Sequence, residues 1–150
     1  MKHILAIDPG KDTGMALFSI EQGQDPTLVW SGEYQQHEYA KPIRETLSLY
    51  PDVEVVCERF TINMQTVKNS QAPYSLEQIG IAKQCLMDAG RKPDDIIFQS
   101  PSDAKGMFAN DKLKKLEYWH RGGDGHALDA IRHGLLRFVK TGWKPMRLLQ

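Results

Sequence analysis

The sequence predicts an α/β fold in which a five-stranded mixed sheet is flanked by helices, in the order β-β-β-α-β-α-β-α. Two observations favour this class. Strand-like runs follow one another closely over residues 2–34, and helical patterns then alternate with further strand-like runs. The chain has 150 residues, of which 41% are hydrophobic, which suits one domain with a buried core. We therefore expect residues 1–150 to form a single domain.

The predicted strands are rich in β-branched and aromatic residues and are bounded by Gly, Pro or Asp. They cover residues 2–8, 14–20, 27–34, 53–58 and 95–100. The first three follow one another through short connections, which predicts an antiparallel meander. The last two alternate with helices, which predicts parallel additions to the same sheet. This order of elements is that of the ribonuclease H fold.

Helical periodicity is seen in four segments, residues 41–50, 75–90, 111–120 and 125–140. The second segment begins at a serine and ends at a glycine, which are typical helix caps. Gln99, Ser100 and Ser102 are expected in a loop, where they cap the helix that follows.

Composition excludes several classes of protein. No run approaches the roughly 20 apolar residues that span a bilayer, and the first ten residues meet an acid and a proline too early for a secretory signal. We therefore expect a cytoplasmic protein with no membrane segment. Cys57 and Cys85 lack CxxC spacing, so we expect reduced core thiols rather than a disulfide or a metal site.

Charge is unevenly distributed along the chain. Residues 1–102 contain 9 Lys/Arg and 14 Asp/Glu, whereas residues 103–150 contain 10 and 5. A formal net charge of zero argues against nucleic-acid binding, but the basic C-terminal third favours it. Lysines on solvated helix faces would produce the same asymmetry, so charge alone leaves both interpretations open.

Two acids close strands that are otherwise apolar. Asp8 ends the first predicted strand, and Glu58 ends the fourth. A charged residue at the end of a buried strand is costly unless it is compensated, and a metal ion is one compensator. If these strands are neighbours in the sheet, the two acids project toward one point. The alternatives are turn chemistry for Asp8, which precedes Pro-Gly, and a salt bridge from Glu58 to Arg59 or a lysine.

The last predicted helix has a polar stripe near its start. His126, Asp129 and His133 are spaced i, i+3 and i+7 and so share one helix face. Two carboxylates on strands with His-x-x-Asp on a helix suit Mg²⁺ or Mn²⁺ better than zinc. The alternatives are a solvent-facing His126 or one paired with Asp124, and a His133 that packs in the core or supports a ligand.

Four segments resemble, in order and over nearly the whole chain, the motifs of the RuvC family of Holliday junction resolvases. They are LAIDPGKDTGMALF, VVCERF, QSPSDAKGMFANDKLKKLEYW and GHALDAIRHGLL. The resemblance implies that Asp8, Glu58, His126 and Asp129 bind two Mg²⁺ or Mn²⁺ ions and carry catalysis. It also implies a catalytic role for Lys105, which follows a proline-containing loop. The compact sequence resembles phage-type members.

The resemblance also implies a DNA-binding surface. Lys105 and Lys112 match the family's two lysines and would contact phosphates. An aromatic residue that wedges into the junction falls on Thr61 in the family's spacing, and Phe60 lies one position earlier. Packing in the core or at a dimer interface is therefore the alternative for Phe60. Further phosphate attraction is expected from the basic C-terminal third, Lys114, Lys115, Arg132, Arg137, Lys140, Lys144 and Arg147.

The function implied by the resemblance is a metal-dependent endodeoxyribonuclease that resolves four-way junctions by paired phosphodiester hydrolysis during DNA recombination, in the bacterial or phage-infected cytoplasm. A homodimer is expected because a junction has two strands to cut symmetrically, and no nucleotide cofactor is expected. Two ions about 4 Å apart would activate water and stabilise charge. Asp8 would bridge both ions, and Glu58 and Asp129 would hold one each. His126 would complete the set or orient the attacking water.

Other functions remain open at this point. A ribonuclease H-fold nuclease that cuts flaps, forks or RNA would share the metal site. The turn after Asp8 also resembles the phosphate turn of actin-like ATPases and sugar kinases, although that fold normally needs two domains. A DNA-binding module without catalysis would make the acids dispensable.

Overall fold

The computed structural model describes residues 1–61, 63–64, 72–121 and 125–145. Five strands form one sheet in the order β3-β2-β1-β4-β5. They are β1 (Lys2–Asp8), β2 (Asp12–Ile20), β3 (Thr27–Gln35), β4 (Glu54–Glu58) and β5 (Ile97–Gln99). β1, β2 and β3 pair antiparallel, whereas β4 and β5 extend the sheet in parallel from β1. The predicted meander with parallel additions is confirmed.

The central strand β1 is buried on both faces. Ile4, Leu5, Ala6 and Ile7 are all 0% exposed. Ile4 and Ala6 pack into the core on one face of the sheet, and Leu5 and Ile7 pack into the core on the other. A continuous apolar run is typical of a strand covered on both faces.

Helices cover both faces of the sheet and contribute side chains to both cores. Their bounds are α1 (Ala40–Leu49), α2 (Ala72–Asp88), α3 (Pro101–Met107), α4 (Asn110–Lys115) and α5 (His126–Lys140), with short 3₁₀ turns at Gln36–Glu38 and Pro93–Asp95. α1 and α2 cover one face, and α3, α4 and α5 cover the other. The buried thiols of Cys57 and Cys85 are free, as expected. No helix in the described ranges is long and apolar enough to cross a membrane.

Two elements differ from the sequence prediction. Helix α3 occupies the segment between Ser100 and Phe108, where no helix was expected over residues 101–107. Ser100 is its extended N-cap and Pro101 begins it, which proline favours because its φ already suits the first turn. The helix expected over 111–120 ends at Lys115. Glu117 has φ 66°, a left-handed conformation that turns the chain out of the helix.

Helix α5 lies very close to the sheet. A Cβ placed on Gly134 would lie 2.5 Å from the Phe18 ring and 3.5 Å from the Ala6 Cβ. Glycine is therefore required at this contact if α5 is to pack directly on β1 and β2. This contact brings the first turn of α5 to the edge of the sheet at which β1 and β4 end.

Candidate active site

Asp8 is the last residue of β1 and is 5% exposed. The turn after it is held by the Thr13 hydroxyl, which donates to the Gly10 carbonyl oxygen over 2.9 Å. The Asp8 carboxyl group instead faces His126, with 3.3 Å between Oδ2 and Nδ1. Asp8 therefore directs its side chain toward α5.

Glu58 ends the strand next to β1. Ile7 lies opposite Cys57 in the parallel β1–β4 pair, so Asp8 and Glu58 leave the same edge of adjacent strands. Their carboxyl groups are within hydrogen-bonding reach of each other. Burial, together with Glu58 and Asp129, outweighs the hydrogen bond from His126 and raises the pKa of Asp8 to about 8.

The Glu58 carboxylate is stabilised despite its burial. Desolvation favours its neutral form, but hydrogen bonds from His133 and Asp8 and the charge of Lys105 outweigh this, so the pKa of Glu58 lies below its ordinary value. His133 Nε2 lies 3.3 Å from Glu58 Oε1. Among the described residues, the ion-pair partner of Glu58 is thus a histidine rather than Arg59 or a lysine.

The first turn of α5 meets these acids because of Gly14. A Cβ on Gly14 would lie 1.9 Å from the His126 carbonyl oxygen, so only glycine lets the helix begin directly over β2. Gly125, at φ 89°, has no side chain with which to cap the helix. Glu33 on β3 does so from across the sheet, since its Oε1 accepts from the His126 backbone N–H over 3.0 Å.

His126 is surrounded by carboxylates. Its hydrogen bond to Asp8, with further contributions from the charges of Asp8, Glu33 and Asp129, outweighs burial and raises its pKa to about 9. His126 is therefore held as a cation at neutral pH. The imidazole of His126 therefore does not face solvent alone, since it pairs with Asp8.

The guanidinium of Arg132 is bound within the chain. It is 9% exposed, and all three of its guanidinium nitrogens donate within the chain. Nη1 binds Asp129 Oδ1 at 2.6 Å, Nε binds the Phe108 carbonyl oxygen at 2.8 Å, and Nη2 binds Asn110. The guanidinium of Arg132 therefore holds Asp129 and joins α5 to the α3–α4 connection, and the expected contact of Arg132 with DNA stays a prediction.

The remaining expected residues lie around this centre. Lys105 is exposed on α3, and its charge acts on Glu58. Lys112 is exposed on α4, and Phe60 is half-buried two residues after Glu58. Asp124 and Arg147 lie outside the described residues.

The donor set suits a hard divalent cation. Among the described residues, no three His, Cys, Asp or Glu side chains are placed to hold one ion together. The acids are paired instead with His126, His133 and Arg132. Even so, Asp8 and Glu58 present carboxyl oxygens at one buried point, where burial is the main cause of the raised pKa of Asp8 and the nearby Glu58 and Asp129 add to it. Oxygen donors in this setting fit Mg²⁺ or Mn²⁺.

Two residues of the site were not identified from the sequence as part of it. Glu33 caps α5 from β3, and Gln99 binds His133 from the end of β5. Gln99 is 2% exposed and ends β5, within the strand predicted over residues 95–100. Its side chain binds His133 and does not cap the helix that follows. A signal was present for Glu33, an acid within a strand that pairs with the one containing Gly14.

Comparison with known proteins identifies the fold. No protein-family model matches the chain, and no curated protein sequence matches it. A structure of Thermus thermophilus RuvC in complex with a Holliday junction substrate matches with a TM-score of 0.70 at 15% identity, over 95% of this chain and 97% of that one. A second structure of Thermus thermophilus RuvC matches with a TM-score of 0.70 at 16% identity, over 93% and 96%. The chain therefore has the ribonuclease H-like fold of RuvC.

Proposed function

We propose that the chain is a metal-dependent endonuclease that hydrolyses phosphodiester bonds in four-way DNA junctions. The observation that supports this most strongly is the meeting of Asp8 and Glu58 at the ends of adjacent parallel strands, under the first turn of α5. The fold adds support, because a RuvC structure of the same fold was determined with a Holliday junction substrate.

In this proposal Asp8, Glu58 and Asp129 hold two divalent cations, with His126 beside them. Mg²⁺ or Mn²⁺, when bound, supplies an activated water and stabilises charge on the scissile phosphate. The residues of the chain prepare that site. β1 and β4 present the carboxylates, Arg132 orients Asp129, and burial keeps bulk water from screening their charges.

His126 takes the role of a proton holder and water-orienting group. Its Nδ1 faces Asp8, so we assign Nε2 to the attacking water or a phosphate oxygen. The raised pKa of His126 depends on the negative charge of its neighbours. Engagement of those carboxylates in metal binding would therefore lower the pKa of His126 from this raised value.

The DNA would lie against α3 and α4, where Lys105 and Lys112 are exposed. The charge of Lys105 helps to lower the pKa of Glu58, so Lys105 acts on the site acids. A homodimer with two such sites would match the two strands that must be cut symmetrically.

The experiment is cleavage of a synthetic four-way junction beside a linear duplex, a flap and an RNA–DNA hybrid, with Mg²⁺, Mn²⁺ or EDTA. We expect paired symmetrical nicks in the junction that need the metal. Asp8→Asn should lower the rate about a thousandfold or more, a loss of about 4 kcal/mol of transition-state stabilisation. Asp52→Asn, at an exposed position, is the matched control and should cut normally.

Other outcomes would change the proposal in defined ways. Equal or faster cutting of flaps or hybrids would keep the site and replace the substrate with a broader class. Normal cutting by Asp8→Asn would show that the assigned centre is wrong. Junction binding without any cutting would favour a DNA-binding module.

A further inference from the structure

Gln99 and His133 form a buried pair behind Glu58. They are 2% and 1% exposed. Gln99 lies opposite Glu58 in the β4–β5 pair, and its carbonyl oxygen accepts from the Arg59 backbone N–H over 2.7 Å. The backbone of Gln99 is thus held directly beside the strand end that carries Glu58, while its side chain reaches α5.

The hydrogen bonds of this pair define which way the Gln99 amide points. Gln99 Nε2 lies 2.9 Å from the His133 carbonyl oxygen, which can only accept. The atom that faces His133 is therefore the amide nitrogen, and the usual ambiguity between the nitrogen and oxygen of a glutamine side chain is removed.

The same amide nitrogen lies 3.2 Å from His133 Nδ1. Since the amide nitrogen is a donor, Nδ1 must accept and carries no proton. The ring proton is consequently on Nε2, which lies 3.3 Å from Glu58 Oε1. A chain of donors runs in one direction, from Gln99 through His133 to Glu58.

We propose that Gln99 and His133 are positioning residues that lock His133 as its Nε2–H tautomer and hold Glu58 in the orientation that binds a divalent cation beside Asp8. The consequence for metal binding rests on the proposed function, whereas the tautomer follows from the contacts alone. A donor to one carboxylate oxygen restricts rotation of the group and so sets how it meets an ion.

The choice of glutamine at position 99 supports this inference. Its Oε1 is buried and has no hydrogen-bond partner among the described residues. An unsatisfied buried polar atom destabilises the folded state, and a leucine or methionine would fill the same space without that penalty. Packing alone does not explain glutamine here, but the need for a donor to His133 Nδ1 does.

Two substitutions at one position separate the roles of the ring nitrogens. His133→Asn places an amide where Nδ1 lies, so it retains an acceptor for Gln99 and loses the donor to Glu58. His133→Gln reaches the position of Nε2 and retains that donor. We expect Mn²⁺ affinity, measured by calorimetry without DNA, to fall about 10- to 100-fold in His133→Asn and to stay within about threefold in His133→Gln. Thermal unfolding in EDTA checks that both variants fold.

The tautomer is measured separately in the metal-free wild-type protein. Ring ¹⁵N chemical shifts of His133 should show an unprotonated Nδ1 and a protonated Nε2, and Gln99→Leu should give a mixture of tautomers. A protonated Nδ1 in the wild type would overturn the inference even if neither His133 variant folds.

Equal Mn²⁺ affinities for the two His133 variants would also overturn it. Failure of the wild type to cut any DNA would instead contradict the proposed function, and it would leave the tautomer and the metal affinities measurable. Failure of the wild type to bind Mn²⁺ would reject both proposals.

Discussion

Asp8 makes the stability of the metal-free protein depend on pH. Its pKa is raised from 3.8 to about 8, and that of His126 from 6.5 to about 9. Between pH 3.8 and about 8, the folded state keeps a proton on Asp8 that the unfolded chain has released, and the same holds for His126 between pH 6.5 and about 9. Stability is therefore greatest below about pH 4 as far as these two groups are concerned, and it falls as pH rises toward 9, by up to about 1.4 kcal/mol per pH unit for each proton.

Asp8→Asn should remove most of this dependence. Asparagine is neutral at every pH, and its presence also deprives His126 of its main charged partner. In EDTA, we expect the variant to be more stable than the wild type at pH 8 and close to it near pH 4, measured by urea unfolding. Asp52→Asn should follow the wild-type curve. Parallel curves for Asp8→Asn and the wild type would show that Asp8 is not a buried, protonated acid.

The partners of the acids illustrate what the sequence could not supply. Asp8, Glu58 and the His126–Asp129 pair were predictable because strand ends and helix spacing are local properties. Glu33 and Gln99 act across strand pairs and reach α5, so their roles depend on the register of the sheet and the position of the helix. The burial of Arg132 could not be predicted either, because a surface arginine and a buried one are identical in sequence.

The placement of helix α5 depends on two glycines beneath or within it. Gly14→Ala would drive a Cβ into the His126 backbone, which cannot move without shifting the turn that carries His126 and Asp129. Gly134→Ala would press on the Phe18 ring, farther along the helix. Each should cost about 1–3 kcal/mol of stability, the usual range for overpacking.

The two variants should differ in activity. We expect Gly14→Ala to lower the junction cleavage rate by about a hundredfold or more, because a misplacement of about 1 Å at a catalytic group has that effect. Gly134→Ala should lower it much less at a matched loss of stability. Gly80→Ala, on an exposed position of α2 with open space around it, should stabilise the protein by about 0.5–1 kcal/mol. If the cleavage rate changes only in step with stability across all three variants, Gly14 has no special role in activity.

Secondary-structure elements were predicted correctly where one sequence signal dominated, and their prediction failed where two signals competed. The apolar strand β1 was predicted with its observed bounds, Lys2–Asp8. Helix α3 was missed because Pro101 and Gly106 usually mark loops, yet a proline at the first helical position is favourable. Helix α4 was extended too far because Tyr118 and Trp119 continue the helical period, although both pack against the core as part of a turned segment.

At the scale of the whole molecule, the two faces of the sheet carry their charges differently. On α1 the Lys41 ammonium pairs with Glu45 at 3.9 Å, and Arg44 reaches Asp88 at 3.7 Å. On the opposite face Lys105 and Lys112 are exposed, and neither forms an ion pair with a described acidic residue. We therefore expect a polyanion to bind at the α3–α4 face, even though the formal net charge is zero.

This asymmetry predicts how junction binding responds to salt. Each lysine that neutralises a phosphate releases about one counterion, so the slope of log affinity against log salt reports the number of such contacts. In an Asp8→Asn background that binds without cutting, Lys112→Ala should reduce the slope by about 1, whereas Lys41→Ala should leave it unchanged. Titration of a fluorescent junction over a range of KCl concentrations measures both. Equal changes in slope for the two lysines would contradict binding at the α3–α4 face. Lys41, which is paired on α1, would then contribute as much to DNA binding as Lys112 on α4.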